Sequence, residues 1–243
     1  MTPRLRHASR LGTVAAFILA LNPVSSHSHV LRGLTSVASG GAVGPSMVSD
    51  STDPTRAEVR RRLAENASGT YIGEMLAEHD SALSRWPDRA GEPLVVWVQS
   101  SSTVTGWVPD YVEDVQTAFR QWDRLGLPVR FTFTTDSAAA DVHVTFIDHF
   151  DEEISGRTKW TRDDDWWITD ADIVLAVYHR GGPILDSDAM HAMTLHEIGH
   201  LLGLDHTRDS TSIMAQKVRV RALSHTDRAT VRLLYQLPPG GVR

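Results

Sequence analysis

At 243 residues, with 41% hydrophobic and 22% charged positions, the chain has room for one catalytic-size domain plus flanking segments and the composition of an ordinary soluble globular protein. A formal charge of −6 argues against a nucleic-acid partner, whose phosphates demand a concentrated basic surface. There is no cysteine, which excludes disulfides and thiolate metal sites and leaves any metal to histidine and carboxylate.

At the N-terminus, Arg4, Arg6 and Arg10 precede the apolar run Leu11 to Leu21, followed by Asn22-Pro23 and the small residues Val24-Ser25-Ser26. This predicts a secretory signal over residues 1–26, cleaved after Ser26, because the run falls short of the about 20 residues of a comfortable membrane span. An uncleaved membrane anchor is the alternative. Either way the bulk of the chain is exported, to the periplasm or the extracellular space. Residues 27–92 read as a linker or pro-segment. His27 to about Thr55 is rich in Ser, Gly, Thr and Pro, and little order is expected there. Two helix-like stretches follow between Arg56 and Trp86, one charged through Arg60 to Arg62 and one around Ile72, Met75, Leu76 and Leu83. Loose packing against the next domain is expected of them.

That domain spans 93–243. Leu94-Val95-Val96-Trp97-Val98 has the pattern of a buried strand. Tyr111, Val115, Ala118, Trp122 and Leu125 recur at helical steps, with Pro109 suited to the first turn, Asp110, Glu113 and Asp114 favouring its positive end, and Gly126 able to close it. Val129 to Thr134, Val142 to Phe146 and Ala171 to Val177 are β-rich, so the order strand, helix, strand, strand, strand implies an α/β sheet. A helix capped by Ser187 or Asp188 carries Ala192, Leu195 and Leu202 toward the core until Gly203 turns the chain. Ser224, with Asp227 three residues on, caps a last helix whose apolar face is Ala229, Leu233 and Leu234 and which Pro238-Pro239 stops.

The chemistry is concentrated on the penultimate helix. In His196-Glu197-Ile198-Gly199-His200 the histidines are four apart, so both imidazoles lie on one side and reach a single ion. A catalytic zinc takes three protein ligands and keeps a fourth position open. Gly203 tolerates the left-handed conformation that ends the helix, and His206 is thereby aimed at the ion. The full pattern is HExxHxxGxxH, far more specific than its HExxH half. Glu197 is the general base, beside the ion without binding it. Met214, in Ser212-Ile213-Met214, lies where a tight turn would place a soft apolar floor beneath the imidazoles. The other histidines, His143, His179, His191 and His225, lack such partners and read as strand, loop or surface residues.

These residues resemble the metzincin clan, and Thr207 after the last histidine is similar to the small hydroxyl residue of its matrixin branch. The likeness runs from about Pro93 to Leu237; Ala140 to Val144 resembles the family's third strand, and Leu223-Ser224 with Asp227 the start of its last helix. It implies a twisted, mostly parallel sheet with an antiparallel edge strand, a long helix packed on the sheet, an active-site helix and a C-terminal helix. It also implies one catalytic zinc and an extended peptide bound along the edge strand around Gly156 to Thr161 by strand addition. His149 and Asp151 are similar to half of the matrixin structural zinc site, but the two remaining positions carry no histidine, so the likeness does not extend to a second zinc. The Asp163-Asp164-Asp165 run reads as a solvated loop in preference to a calcium site, and the family likeness leaves calcium open. With no propeptide cysteine, any latency needs another contact or simple occlusion. The sequence therefore reads as a secreted, monomeric zinc endopeptidase. A catalytically silent metal-binding module and a membrane-tethered regulatory protease are the alternatives, and an amidase acting on a non-protein substrate is harder to exclude. Specificity is assigned to the loop after Met214, including Lys217 to Leu223.

Overall fold

The computed structural model describes residues 10–12, 54–78, 82–89 and 91–241. The expected signal segment lies outside the described residues apart from β1 (Arg10–Gly12), and the stretch 27–53 lies outside them entirely. Among the described residues no helix is long and apolar enough to cross a membrane.

The chain builds a mixed α/β sheet from β3 (Leu94–Val98), β4 (Phe131–Thr134), β5 (Val142–Ile147), β6 (Gly156–Arg162) and β7 (Ile168–Ala176), in the order β6-β7-β5-β3-β4. Four strands are parallel and β6 is antiparallel to β7, the arrangement expected from the sequence. Beyond β6, β1 pairs antiparallel with Trp160 to Arg162. Register lines up the apolar positions: Val96 faces Phe133 on one side and Val142 on the other, and Val144 faces Ile173.

Burial alternates along these strands, so Leu94, Val96 and Val98 face the core while Val95 and Trp97 lie on a half-exposed face. The buried strand expected at 94–98 is present, with one of its faces fully buried. The helices cover that face, and Trp97 uses the other to pack its ring 5.9 Å from that of His143. The long helix α3 (Asp110–Asp123) buries Tyr111, Val115, Ala118, Phe119 and Trp122, which is the predicted stripe with Phe119 added and without Leu125, a half-buried residue past the helix end; Gly126 takes a φ of 69° just after it. Its neighbour on the sheet is α4 (Ser187–Leu201), and α5 (His225–Leu234) follows near the C-terminus.

The turn from β6 to β7 uses the aspartate run locally: Asp163 accepts hydrogen bonds from the amides of Asp165 and Trp167, and the Arg162 guanidinium lies 3.7 Å over the Trp166 ring.

Upstream, α1 (Pro54–Asn66) and α2 (Ile72–Glu78) occupy the two helix-like stretches. They are not loosely attached. Tyr71, Ile72, Met75, Leu83 and Trp86 are buried in the same core as the sheet. The strand β2 (Ala82–Leu83) pairs with β8 (Gly240–Gly241), joining this stretch to the end of the chain. Arg85 donates to the Leu237 carbonyl, and its own carbonyl accepts from the Ile168 amide. The Trp86 indole donates to the carbonyl of Leu201, one of the orphan carbonyls that end a helix.

Candidate active site

Three aromatic side chains hold α4 by its backbone. Tyr111 donates to the Leu185 carbonyl just before the helix, Trp122 to Leu195 in its middle and Trp86 to Leu201 at its end. The cap is Asp186, which accepts from the Ala189 amide, one residue before Ser187 and two before Asp188, the caps expected from the sequence; Ser187 instead donates to Asp114. Ten residues of the last three turns are buried, so the helix lies within the core and presents its polar groups inward.

Gly203 ends this segment for two reasons. Its φ is 94°, open to glycine and strained for other residues, and a Cβ there would overlap the Ser84 carbonyl oxygen. The turn swings the chain back and brings His206 against the helix. The Nε2 atoms of His196, His200 and His206 then lie 3.2, 3.2 and 3.3 Å from one another. Tetrahedral nitrogen ligands at zinc distances would be about 3.3 to 3.4 Å apart, so the triad fits that ion without rearrangement. His196 Nδ1 is 2.7 Å from the Ile213 carbonyl and His200 Nδ1 is 2.9 Å from that of Leu204. A carbonyl can only accept, which places a proton on each Nδ1 and leaves the Nε2 lone pairs for the ion. Burial drives the His196 imidazole well below its ordinary pKa, that of His200 to about 4, and lowers that of His206. All three are therefore neutral at pH 7, the form that ligates.

Glu197 is buried beside the triad. Burial raises its carboxyl to about 7, partly opposed by hydrogen bonding from Thr158. On the far side of the helix, Met214 is wholly buried with its sulfur over Gly199, where any Cβ would overlap it. The turn that carries Met214 hangs on Asp227. This carboxylate accepts from the Ser212 hydroxyl and from the amides of Ile213 and Ser224, while Ser224 accepts from the Asp227 amide to complete a capping box on α5.

Three imidazoles converging beside a buried glutamate over a methionine turn make a particular constellation, and the family model for matrixin matches residues 148–236, which contain all of it. The chain is also similar to Metalloendoproteinase 1 of Glycine max, with 24% identity over 146 residues covering 51% of this chain and 45% of that relative. Both likenesses point to the matrixin branch of the metzincins. It spans about half the length of the curated relative it matches.

The triad and Glu197 open into a cleft of about 420 Å³, whose walls include Met193 on α4, Val218 after the methionine turn, and His179. A smaller cavity of about 200 Å³ continues between Ala189, Ala192 and Met193 and the loop at Val218 to Arg221, part of the loop to which the sequence reading assigned specificity. On the other side of His206 a third cavity, of about 490 Å³, is walled by Glu74 and Glu78 of α2.

All five residues read from the motif, His196, Glu197, His200, His206 and Met214, come together with Gly203 as the turn that permits it. Several neighbours were missed. His179, read as a strand, loop or surface residue, lines the cleft with Nδ1 hydrogen-bonded to the Ser155 hydroxyl. Asp227 was read only as a helix-capping residue. Gly156 and Thr158 on β6 meet Glu197 from far upstream in the chain, Thr158 at a separation of 39 residues, and no local signal marks their contact with it. Gly199 was within reach, since its small size between the motif residues is what lets methionine approach.

Asp227→Ala leaves two amides and a hydroxyl without a buried acceptor. It is expected to lower unfolding free energy by about 2 to 4 kcal/mol, checked by urea denaturation. Because the Ile213 carbonyl orients His196, zinc affinity in a chelator competition should fall by about tenfold or more.

Proposed function

We propose that this protein is a secreted, monomeric, zinc-dependent endopeptidase in which His196, His200 and His206 hold the metal and Glu197 is the general base. The observation that carries the reading is the 3.2 to 3.3 Å spacing of three neutral imidazole nitrogens next to a carboxylate that is not among them. Zinc bound there would supply Lewis acidity to a water and to the scissile carbonyl.

Glu197 accepts the proton of the attacking water and returns it to the leaving amine. Burial raises the carboxyl before any metal is bound, and a nearby zinc cation would draw it back down, so the group can both take up and return a proton. The substrate backbone pairs with β6 in the manner of an added strand, which lays an extended peptide across the mouth of the cleft. Its side chains reach the cavities beside Met193 and Val218.

The test is metal content together with cleavage of a mixed peptide library. The purified full chain is expected to carry a single zinc, to lose all cleavage on treatment with a chelator, and to regain it when zinc is restored. Zinc binding without cleavage of any peptide would instead identify a silent metal-binding module. Sequencing the exported protein is expected to find His27 at the mature N-terminus; a retained apolar segment in a membrane fraction would mark a tethered form.

A further inference from the structure

Thr158 is 2% exposed and lies on the antiparallel strand β6. Its Oγ1 is 2.7 Å from Oε2 of Glu197 and 2.9 Å from the Glu197 carbonyl oxygen. A hydroxyl has one proton to donate, and the shorter contact, to an acceptor that carries charge when ionised, is the stronger. Gly156 is two residues upstream and so on the same side of the strand. A Cβ at that position would overlap Oε1 of Glu197. The intervening Arg157 belongs to the opposite side, where its guanidinium lies 4.8 Å over the Phe150 ring and bonds Glu152. Both contacts on the carboxylate thus come from one strand: a donor at Oε2 and a gap at Oε1.

We propose that Thr158 is a positioning residue for the general base: its hydroxyl holds Oε2, so that Oε1, accommodated by Gly156, is the oxygen that exchanges protons in the cleft. A glutamate side chain has three rotatable bonds, and the helix that carries Glu197 restricts only the first of them firmly. The hydroxyl restricts the rest. This inference rests on the peptidase reading above.

The test compares Thr158→Val, which keeps the side-chain shape and removes the hydroxyl, with Thr158→Ser, which keeps the hydroxyl and removes the methyl. In the zinc-loaded full chain, Thr158→Val is expected to lower kcat by about 10- to 100-fold with KM little changed, the effect of losing one hydrogen bond to a charged group at the reacting centre. Thr158→Ser should recover most of that loss, and zinc content and unfolding midpoint should match the parent in both. Wild-type kcat in Thr158→Val, equal losses in both variants, or a change confined to KM would overturn the proposal. Should Thr158→Val not fold, Thr158→Ser and Thr158→Ala differ by one oxygen atom and give the same comparison.

A second measurement does not depend on turnover. The side-chain carboxyl ¹³C resonance of Glu197, assigned by its loss in Glu197→Gln, should move in Thr158→Val and return in Thr158→Ser; an unmoved resonance overturns the proposal. If the parent cleaves no peptide while this resonance responds as stated, the peptidase reading fails and the base role with it, leaving only the hold of Thr158 on the carboxylate; cleavage by the parent with an unmoved resonance overturns the positioning role alone.

Discussion

Glu197→Gln is expected to keep its zinc and lose its turnover. Glutamine has nearly the same shape, fits against Gly156, and offers an amide oxygen to the Thr158 hydroxyl, so the side chain should stay in place. The triad is oriented by the carbonyls of Ile213 and Leu204, neither of which depends on Glu197. What disappears is the capacity to accept a proton. General acid–base catalysis contributes about 10²- to 10⁴-fold, and kcat should fall by that amount or to the limit of detection. Elemental analysis and peptide cleavage on the same preparation check both halves. Loss of zinc would make Glu197 a structural element of the site, and undiminished cleavage would remove it from the proton transfer.

Gly203→Ala should damage the fold and the metal site together. The substitution places a Cβ at a φ of 94° and drives it into the Ser84 carbonyl oxygen, a backbone atom that cannot swing aside. Positive φ and a backbone overlap together should lower stability by about 3 to 5 kcal/mol. For a domain of this size that corresponds to a fall in melting temperature of about 6 to 20 °C. Because Gly203 is also the turn that returns His206 to the helix, zinc should dissociate more readily than from the parent. Calorimetry and a zinc competition titration read the two effects. An alanine variant with unchanged melting temperature and zinc affinity would mean that the segment 82–86 yields freely, contrary to its anchoring.

How far the sequence leads depends on the distance over which each interaction acts. The zinc ligands, the helix stop at Gly203 and the capping box at Ser224 and Asp227 lie within eleven residues or one helical turn of their partners, and each was legible as spacing. The stripe on α3 was legible because 3.6-residue periodicity betrays a buried face. The strand 94–98 was legible as an apolar run, but which of its faces is the more deeply buried follows from topology, which five apolar residues in a row do not encode. The methionine floor was legible, yet its dependence on Asp227 was not, because the cap and the turn share a carboxylate at a separation of 14 residues. Thr158 and Gly156 look unremarkable in sequence, since their importance arises only once β6 lies against α4. The apolar residues of 71–86 were visible as a pattern, but the partners that bury them lie far along the chain, as where the Tyr71 amide donates to Thr230 and the Trp86 indole to Leu201.

Trimming the chain to Pro93, where the first long strand invites a cut, would remove Trp86 from beneath the last turn of α4. A void the size of an indole would open there, and the Leu201 carbonyl would lose its donor. That turn carries His200 directly and leads into the bend that delivers His206, so loss of a residue more than a hundred positions upstream should loosen the grip on the metal. The smallest fragment able to hold zinc tightly therefore has to retain the tryptophan, whatever becomes of the residues that precede it.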